Sequence, residues 1–279
     1  MEYFNYHTHT LYCDGCAAPE IYIKEAIKQG MTAIGFSSHS PLPFDNNYSI
    51  KENRIDEYKT EIRRLQEKYK NNIRIFLALE FDYIPGISDN FSTLKDQLKL
   101  DYTIGSVHLV KNKNKEDLWF IDGPENNYTN GLAHIFQNNI RLAVQRYFEQ
   151  IKEMILSQRP TIIGHIDKVK MNNKGRYFSE EEEWYKNHAK NVLDAALYSG
   201  SIIEVNTRGI YKKRCDSLYP GINLLKEIYK MNIPVTISSD AHDPSELTSY
   251  FSETISILKD IGFKKIKYFS GTGWEDQKI

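Results

Sequence analysis

Residues 73–80 read Ile-Arg-Ile-Phe-Leu-Ala-Leu-Glu, a nearly unbroken apolar run of strand length that ends on a carboxylate. A strand with one face in water alternates apolar and polar residues. A strand covered on both faces is apolar throughout, as in a parallel sheet. In a parallel barrel the active site is built on the rim formed by the carboxyl ends of the strands, and that rim is where Glu80 would sit.

Similar runs recur on both sides of it, at residues 3–7, 32–36, 102–107, 161–164, 202–205 and 235–238, each bounded by polar turns. Segments of helical period lie between them. Pro19 opens one that stops at Gly30, with Pro in the first turn and Gly just past the end. Residues 53–70 carry Ile55, Tyr58, Ile62 and Leu65 on one side, and their charges form a solvated face. Residues 135–156, 180–197 (closed by Gly200), 218–231 and 244–259 complete the series. Strand then helix, repeated about seven times, predicts a parallel α/β architecture. No composition break or long linker divides the chain, so residues 1–279 are expected to form one barrel-like domain. Residues 109–134 do not fit the repeat. They contain Lys111-Asn112-Lys113-Asn114-Lys115 and Asp122-Gly123-Pro124 and read as a long polar loop near the rim, of the kind that serves as a lid or is mobile.

The charge balance is 36 Lys and Arg against 37 Asp and Glu, a net charge of −1. It supplies no electrostatic reason for a nucleic acid or an anionic membrane as the main partner. No apolar run approaches the ~20 residues needed to cross a bilayer. The start, Met1-Glu2-Tyr3, shows no basic region followed by an apolar stretch, so no secretory signal is read there. The three cysteines, Cys13, Cys16 and Cys215, are too few and odd in number for a disulfide framework, and a reducing cytoplasm is expected. Cys13 and Cys16 form a lone C-x-x-C and read as small residues in the loop after the first strand.

The histidines are placed selectively. His7 and His9 end the first predicted strand, and His39 follows the second. His108 ends the fourth, His165 the fifth, and His242 follows the seventh. Six of the 8 histidines thus fall on one rim, whereas His134 and His188 fall on helices. Glu80 and Asp240 end strands on the same rim, Glu204 lies in the sixth strand, and Asp14 follows the His-x-His. Any one strand-end histidine is more simply a hydrogen-bonded loop residue; the whole set is not. Neutral imidazole and carboxylate are the ligands used for zinc, manganese and iron. So many candidates exceed what one ion takes, which implies a site of two or three divalent transition-metal ions, an arrangement suited to phosphoryl transfer.

His7-Thr8-His9-Thr10, Ser38-His39-Ser40-Pro41, Leu79-Glu80, Ser106-Val107-His108, Gly164-His165-Ile166-Asp167, Glu204-Val205-Asn206 and Ser239-Asp240-Ala241-His242 resemble, in order, the motifs of the polymerase-and-histidinol-phosphatase (PHP) superfamily. Cys13-Asp14-Gly15 and Ser40-Pro41-Leu42-Pro43 look most like its histidinol-phosphatase branch. The resemblance implies a distorted TIM-like (βα)7 barrel and a trinuclear centre. One metal would be held by His7, His9, Glu80 and Asp240, and a second by the bridging Glu80 with His108 and His165. The third would take Asp14, His39 and His242.

The same resemblance implies a metal-dependent phosphomonoesterase, cytoplasmic, that converts L-histidinol phosphate to L-histidinol and phosphate in histidine biosynthesis. A metal-bridged hydroxide would attack phosphorus, centred on Asp240, His242 and Glu80. Arg208 is the first candidate to hold the phosphate, since a guanidinium takes two oxygens, and Lys170 is the second. Asp122 is a candidate for the substrate's amine. Asp167 is a candidate to protonate the leaving alkoxide or to orient His165. Tyr48 and Tyr211 read as packing residues. Two rival readings stand beside this one: a nuclease or nucleotide phosphatase using the same metals, and a barrel that binds metal without catalysis.

Overall fold

The barrel strands are short, apolar and buried, and every pairing between them is parallel. The computed structural model describes residues 2–88, 90–112 and 117–279. Its strands are β1 (Tyr3–Asn5), β2 (Met31–Phe36), β3 (Arg74–Asp82), β4 (Tyr102–Ser106), β5 (Leu109–Lys111), β6 (Leu118–Phe120), β7 (Ile162–Ile163), β8 (Ile202–Asn206), β9 (Val235–Ser238), β10 (Lys265–Phe269) and β11 (Trp274–Lys278). Seven of them form one sheet in the order β1-β2-β3-β4-β7-β8-β9. Its two edges meet at the rim, where Thr8 bridges to Ala241. There the His9 amide donates to the Ala241 carbonyl at 2.8 Å and the Ala241 amide to the His7 carbonyl at 3.1 Å. The backbone that closes the barrel is therefore the backbone that carries the first histidines. The expected α/β, TIM-like (βα)7 barrel is the observed architecture.

The helices are α1 (Pro19–Lys28), α2 (Ile55–Tyr69), α3 (Phe91–Leu98), α4 (Glu125–Phe136), α5 (Ile140–Gln158), α6 (Glu183–Ser199), α7 (Arg208–Tyr211), α8 (Ile222–Lys230) and α9 (Phe251–Ile261). Helix α2 buries Ile55, Tyr58, Ile62 and Leu65, the stripe read from the sequence. The helix expected over 135–156 begins instead at Ile140. Gln137 and Asn138 stand in the left-handed region, φ 53° and 61°, which ends α4. Asn139 then starts α5, its side chain accepting from the Leu142 amide at 3.1 Å. The helix expected over 244–259 is likewise split at Tyr250, φ 65°.

Side chains two apart on a strand share a face. On β3, Phe76 lies at the amino end of the face that carries Glu80 and Asp82 at the carboxyl end. On β4, Tyr102 is placed likewise below Ser106. Phe76 and Tyr102, with Tyr6 just past the end of β1, build an aromatic floor. Tyr6, Phe76, Tyr102, Phe269 and Trp274 sit with ring centroids 4.8–6.2 Å apart, the last two supplied by the β10–β11 hairpin. The opposite ends of the same strands hold the polar cluster.

Residues 109–134 are not a bare loop. They hold the antiparallel β5–β6 hairpin and most of α4. Trp119 is fully buried, 4.7 Å from Tyr128 and 5.5 Å from Phe136 by ring centroid, and donates Nε1–H to the Tyr128 carbonyl at 2.9 Å. A small core of its own thus holds β6 and α4 together. Lys113, Asn114 and Lys115, which made it read as a polar loop, lie outside the described residues. No helix among the described residues is long and apolar enough to cross a membrane.

Candidate metal centre

Glu80 is the hub of the rim. Its Oε2 lies 3.1 Å from His7 Nε2, 3.4 Å from His9 Nε2 and 3.1 Å from His39 Nδ1. Its Oε1 lies 3.0 Å from His165 Nε2 and 3.6 Å from His108 Nε2, and accepts from Ser106 Oγ at 2.6 Å. Asp240 faces it from just past the end of β9, with Oδ1 3.3 Å from His9 Nε2 and 3.4 Å from His242 Nδ1. Asp14 completes the outer side, 3.2 Å from His242 Nε2, 3.6 Å from His9 Nδ1 and 3.8 Å from His39 Nε2. All nine candidate ligands named from the sequence come together. Donor atoms of His9, Asp14, His39 and His242 lie within 4.8 Å of one another, as do those of His7, His9 and Asp240 and those of His39, Glu80 and His108.

The arrangement fits cations better than it fits hydrogen bonding within the set. The buried nitrogens His7 Nε2, His9 Nε2 and His39 Nδ1 take no hydrogen bond, although carboxylate oxygens stand close by. A fully buried polar atom left unpaired is costly, and ring nitrogens that miss neighbouring oxygens while converging with them on a common space are what a cation site requires. Burial holds the His9 and His39 imidazoles down at about 4, so both are neutral at pH 7, the form that ligates. Burial opposes ionisation of Glu80, but the rings of His7, His39, His108 and His165 outweigh it and hold the carboxyl well below the usual range.

A second layer fixes the rings. Glu204 Oε1 lies 2.5 Å from His7 Nδ1 and also accepts from Ser238 Oγ, while its Oε2 accepts from the His165 amide at 2.8 Å and Asn206 Nδ2 at 3.1 Å. Asp82 accepts from the His108 amide at 2.9 Å and from the Tyr48 hydroxyl at 3.2 Å, and lies 3.5 Å from His108 Nδ1. Asp82 was passed over in the sequence, although its spacing from Glu80 puts it on the same strand face. Asp240 is held at φ 52°, a region non-glycine residues rarely occupy, and strain of that kind concentrates at functional sites.

The cations sort differently from expectation. Arg208 is nine-tenths buried, and its Nη1 donates to the Asp240 carbonyl at 2.6 Å and to the Tyr211 hydroxyl at 3.3 Å, beside the cluster as expected. Lys170 is instead bound by two other carboxylates, Asp167 at 2.7 Å and Glu180 at 3.1 Å, which occupy its charge. Asp167 Oδ2 accepts from the Gly221 amide at 2.8 Å, while its Oδ1 and His165 Nδ1 take no hydrogen bond and His165 Nε2 faces Glu80, so Asp167 orients neither ring nitrogen of His165. The lysine that faces the site, beside Arg208, is Lys168, buried, with Nζ 2.6 Å from Asp122 Oδ2 and 3.9 Å from Asp240 Oδ2. The 3-10 turn Lys168–Lys170 explains the exchange: at three residues per turn, positions two apart point to different sides.

The chain is 26% identical over 265 residues to a Deinococcus radiodurans protein named "Probable histidinol-phosphatase", covering 94% of this chain and 95% of that one. It is 26% identical over 256 residues to the Bacillus subtilis histidinol-phosphatase, covering 86% and 94%. The crystal structure of histidinol phosphate phosphatase from Lactococcus lactis, complexed with zinc, L-histidinol and phosphate, superposes with a TM-score of 0.68 over 98% of each chain at 20% identity, a likeness of fold. The PHP domain family matches residues 5–208, well over half of the sequence, and the chain belongs to that family.

Proposed function

We propose that this chain is a metal-dependent histidinol-phosphatase, hydrolysing L-histidinol phosphate to L-histidinol and phosphate in histidine biosynthesis. The observation that carries the reading is the convergence of buried, unbonded imidazole nitrogens on the carboxylates of Glu80 and Asp240. His7, His9, Glu80 and Asp240 would hold one divalent cation, and Glu80, His108 and His165 a second. Asp14, His39 and His242 would hold a third, with His39 standing between the last two groups. Cations such as zinc, manganese or iron, bound there, lower the pKa of water and neutralise phosphoryl oxygens.

The chain's own residues do the rest. Glu204 and Asp82 fix the rings of His7 and His108, and Asp167 and Lys170 brace the turn that carries Lys168. Arg208 and Lys168 approach Asp240 separately, at its carbonyl and its carboxylate, so a phosphate seated at that corner meets a planar guanidinium and an ammonium. The near-zero net charge suits a small phosphomonoester rather than a polynucleotide. The three free cysteines suit a cytoplasmic site of action.

Phosphate release by the metal-reconstituted protein from L-histidinol phosphate, beside a panel of nucleotides and sugar phosphates, tests the reading. It requires a rate on histidinol phosphate orders of magnitude above the others. A preference for a nucleotide would overturn it.

A further inference from the structure

Glu246 ends the 3-10 turn Pro244–Glu246 behind His242, is buried, and gathers more partners than a cap needs. With Asp243 it forms a capping box: Asp243 Oδ1 accepts from the Ser245 amide at 2.9 Å, and Glu246 Oε2 accepts from the Asp243 amide at 3.2 Å. The same Oε2 accepts from the His242 amide at 2.9 Å, the backbone of a candidate metal ligand. It also stands 3.3 Å from the Tyr211 hydroxyl and 3.6 Å from Arg208 Nη1, both on α7. Oε1 accepts from Lys212 Nζ at 2.6 Å. Arg208 is held at one end. Its Nη1 donates to the Asp240 carbonyl at 2.6 Å and to the Tyr211 hydroxyl at 3.3 Å, and Tyr211 donates in turn to the Ser239 carbonyl at 2.8 Å. Among the described residues the guanidinium bonds through Nη1 alone, so its Nε–Nη2 edge keeps two parallel donors for an anion.

We propose that Glu246 is a positioning residue for phosphate: it pins the Nη1 end of Arg208 and, through the same oxygen, the His242 backbone, so that the guanidinium edge and the His242 imidazole keep one spacing. This role rests on the phosphatase reading above. Two bonds to a phosphate form together only when the plane of the guanidinium is set, and a cation already fixed at one end loses less freedom on binding. Charge alone argues against a carboxylate here. At 3.6 Å from Nη1 it offsets part of the positive charge that a phosphate would meet. Capping does not account for it either, because the capping box uses neither Tyr211, Lys212 nor Arg208. The two effects have opposite signs: removing the charge alone would tighten phosphate binding, and losing the pin weakens it.

Binding of inorganic phosphate to the metal-loaded protein, read by calorimetry beside metal content, tests the proposal. Glu246→Gln keeps the capping box, which accepts either residue, and removes the charge that faces Arg208. It should weaken phosphate about 10-fold with metal content unchanged, within the range for losing an outer partner of a binding group. In an Arg208→Lys background the same change should cost nothing or tighten binding, since no guanidinium edge is left to orient. Phosphate bound as tightly or more tightly by Glu246→Gln overturns this role alone, as does a loss undiminished in the Arg208→Lys background. Tyr211→Phe removes the hydroxyl that stands between Glu246 and Arg208 and should also weaken phosphate severalfold. A Glu246→Gln that folds poorly therefore does not shelter the idea, because unchanged affinity in Tyr211→Phe overturns it. If the metal-loaded wild type takes no phosphate, the phosphatase reading falls and this one falls with it.

Discussion

His7 Nδ1 and Glu204 Oε1 lie 2.5 Å apart at the bottom of the cluster, both fully shielded from water. The carboxylate fixes which nitrogen of His7 carries the proton and turns the other, Nε2, towards Glu80 and Asp240. Glu204→Gln keeps the shape and removes the charge. Zinc affinity, measured by competition with a chromophoric chelator, should fall about 10- to 100-fold, the usual cost of losing such an outer partner. An unchanged affinity would mean that Glu204 is only packing.

Lys168 and Lys170 should separate cleanly. Lys168→Met should lower kcat/KM for the phosphomonoester by roughly 100-fold while the metals stay bound, as expected for a cation aimed at the developing charge. Lys170→Met should act on stability instead. It strands the buried Asp167 beside Glu180, a loss on the order of 3–5 kcal/mol. Urea unfolding and steady-state kinetics on both variants check this, and the reverse pattern would restore Lys170 as the phosphate ligand.

The barrel wall allows a packing test. A Cβ on Gly35 would lie 1.9 Å from the Tyr102 hydroxyl, which donates to the Tyr6 carbonyl at 2.5 Å. Gly35→Ala should therefore cost about 1–3 kcal/mol or more by overpacking. Combined with Tyr102→Phe, which removes the clashing oxygen, the loss should be smaller than the sum of the two single losses. Strict additivity in urea melts would show that the two sites do not touch.

Acid should weaken the metal-free protein in a defined window. An unfolded histidine takes up its proton near pH 6.5, whereas burial keeps folded His9 and His39 unprotonated down to about 4. Between those values the unfolded chain binds more protons, so these two rings make stability fall as pH falls from about 6.5 towards 4. His39→Asn removes one of those protons and should make the decline shallower, by up to about 1.4 kcal/mol per pH unit. Parallel declines for wild type and variant, in urea melts of metal-stripped protein, would contradict it.

The rim was legible in the sequence because barrel topology turns strand-end position into spatial proximity. His7, His165 and Asp240 are far apart in sequence, yet each ends a strand of one parallel sheet, so reading the strands placed the ligands. Glu80 could be recognised because Ile75 to Leu79 is too apolar to be anything but a buried strand. What the sequence did not yield depends on local backbone geometry or on packing within a small segment. A two-residue difference in a 3-10 turn decides whether Lys168 or Lys170 faces Asp240. The β5–β6 hairpin is held by Trp119 against Tyr128 and Phe136, a contact that periodicity over so short a run does not announce. The β10–β11 hairpin was missed because its exposed residues are mostly charged, with Ile266 and Phe269 turned into the core.

The central claim is that the cluster around Glu80 and Asp240 is a metal centre that hydrolyses a phosphomonoester. Stripped protein, verified metal-free by elemental analysis, should be titrated with zinc or manganese while phosphate release from L-histidinol phosphate is followed. The account predicts no release at the start, a rise with each equivalent, and a plateau at two or three bound ions per chain. Full activity in the verified metal-free protein would contradict it.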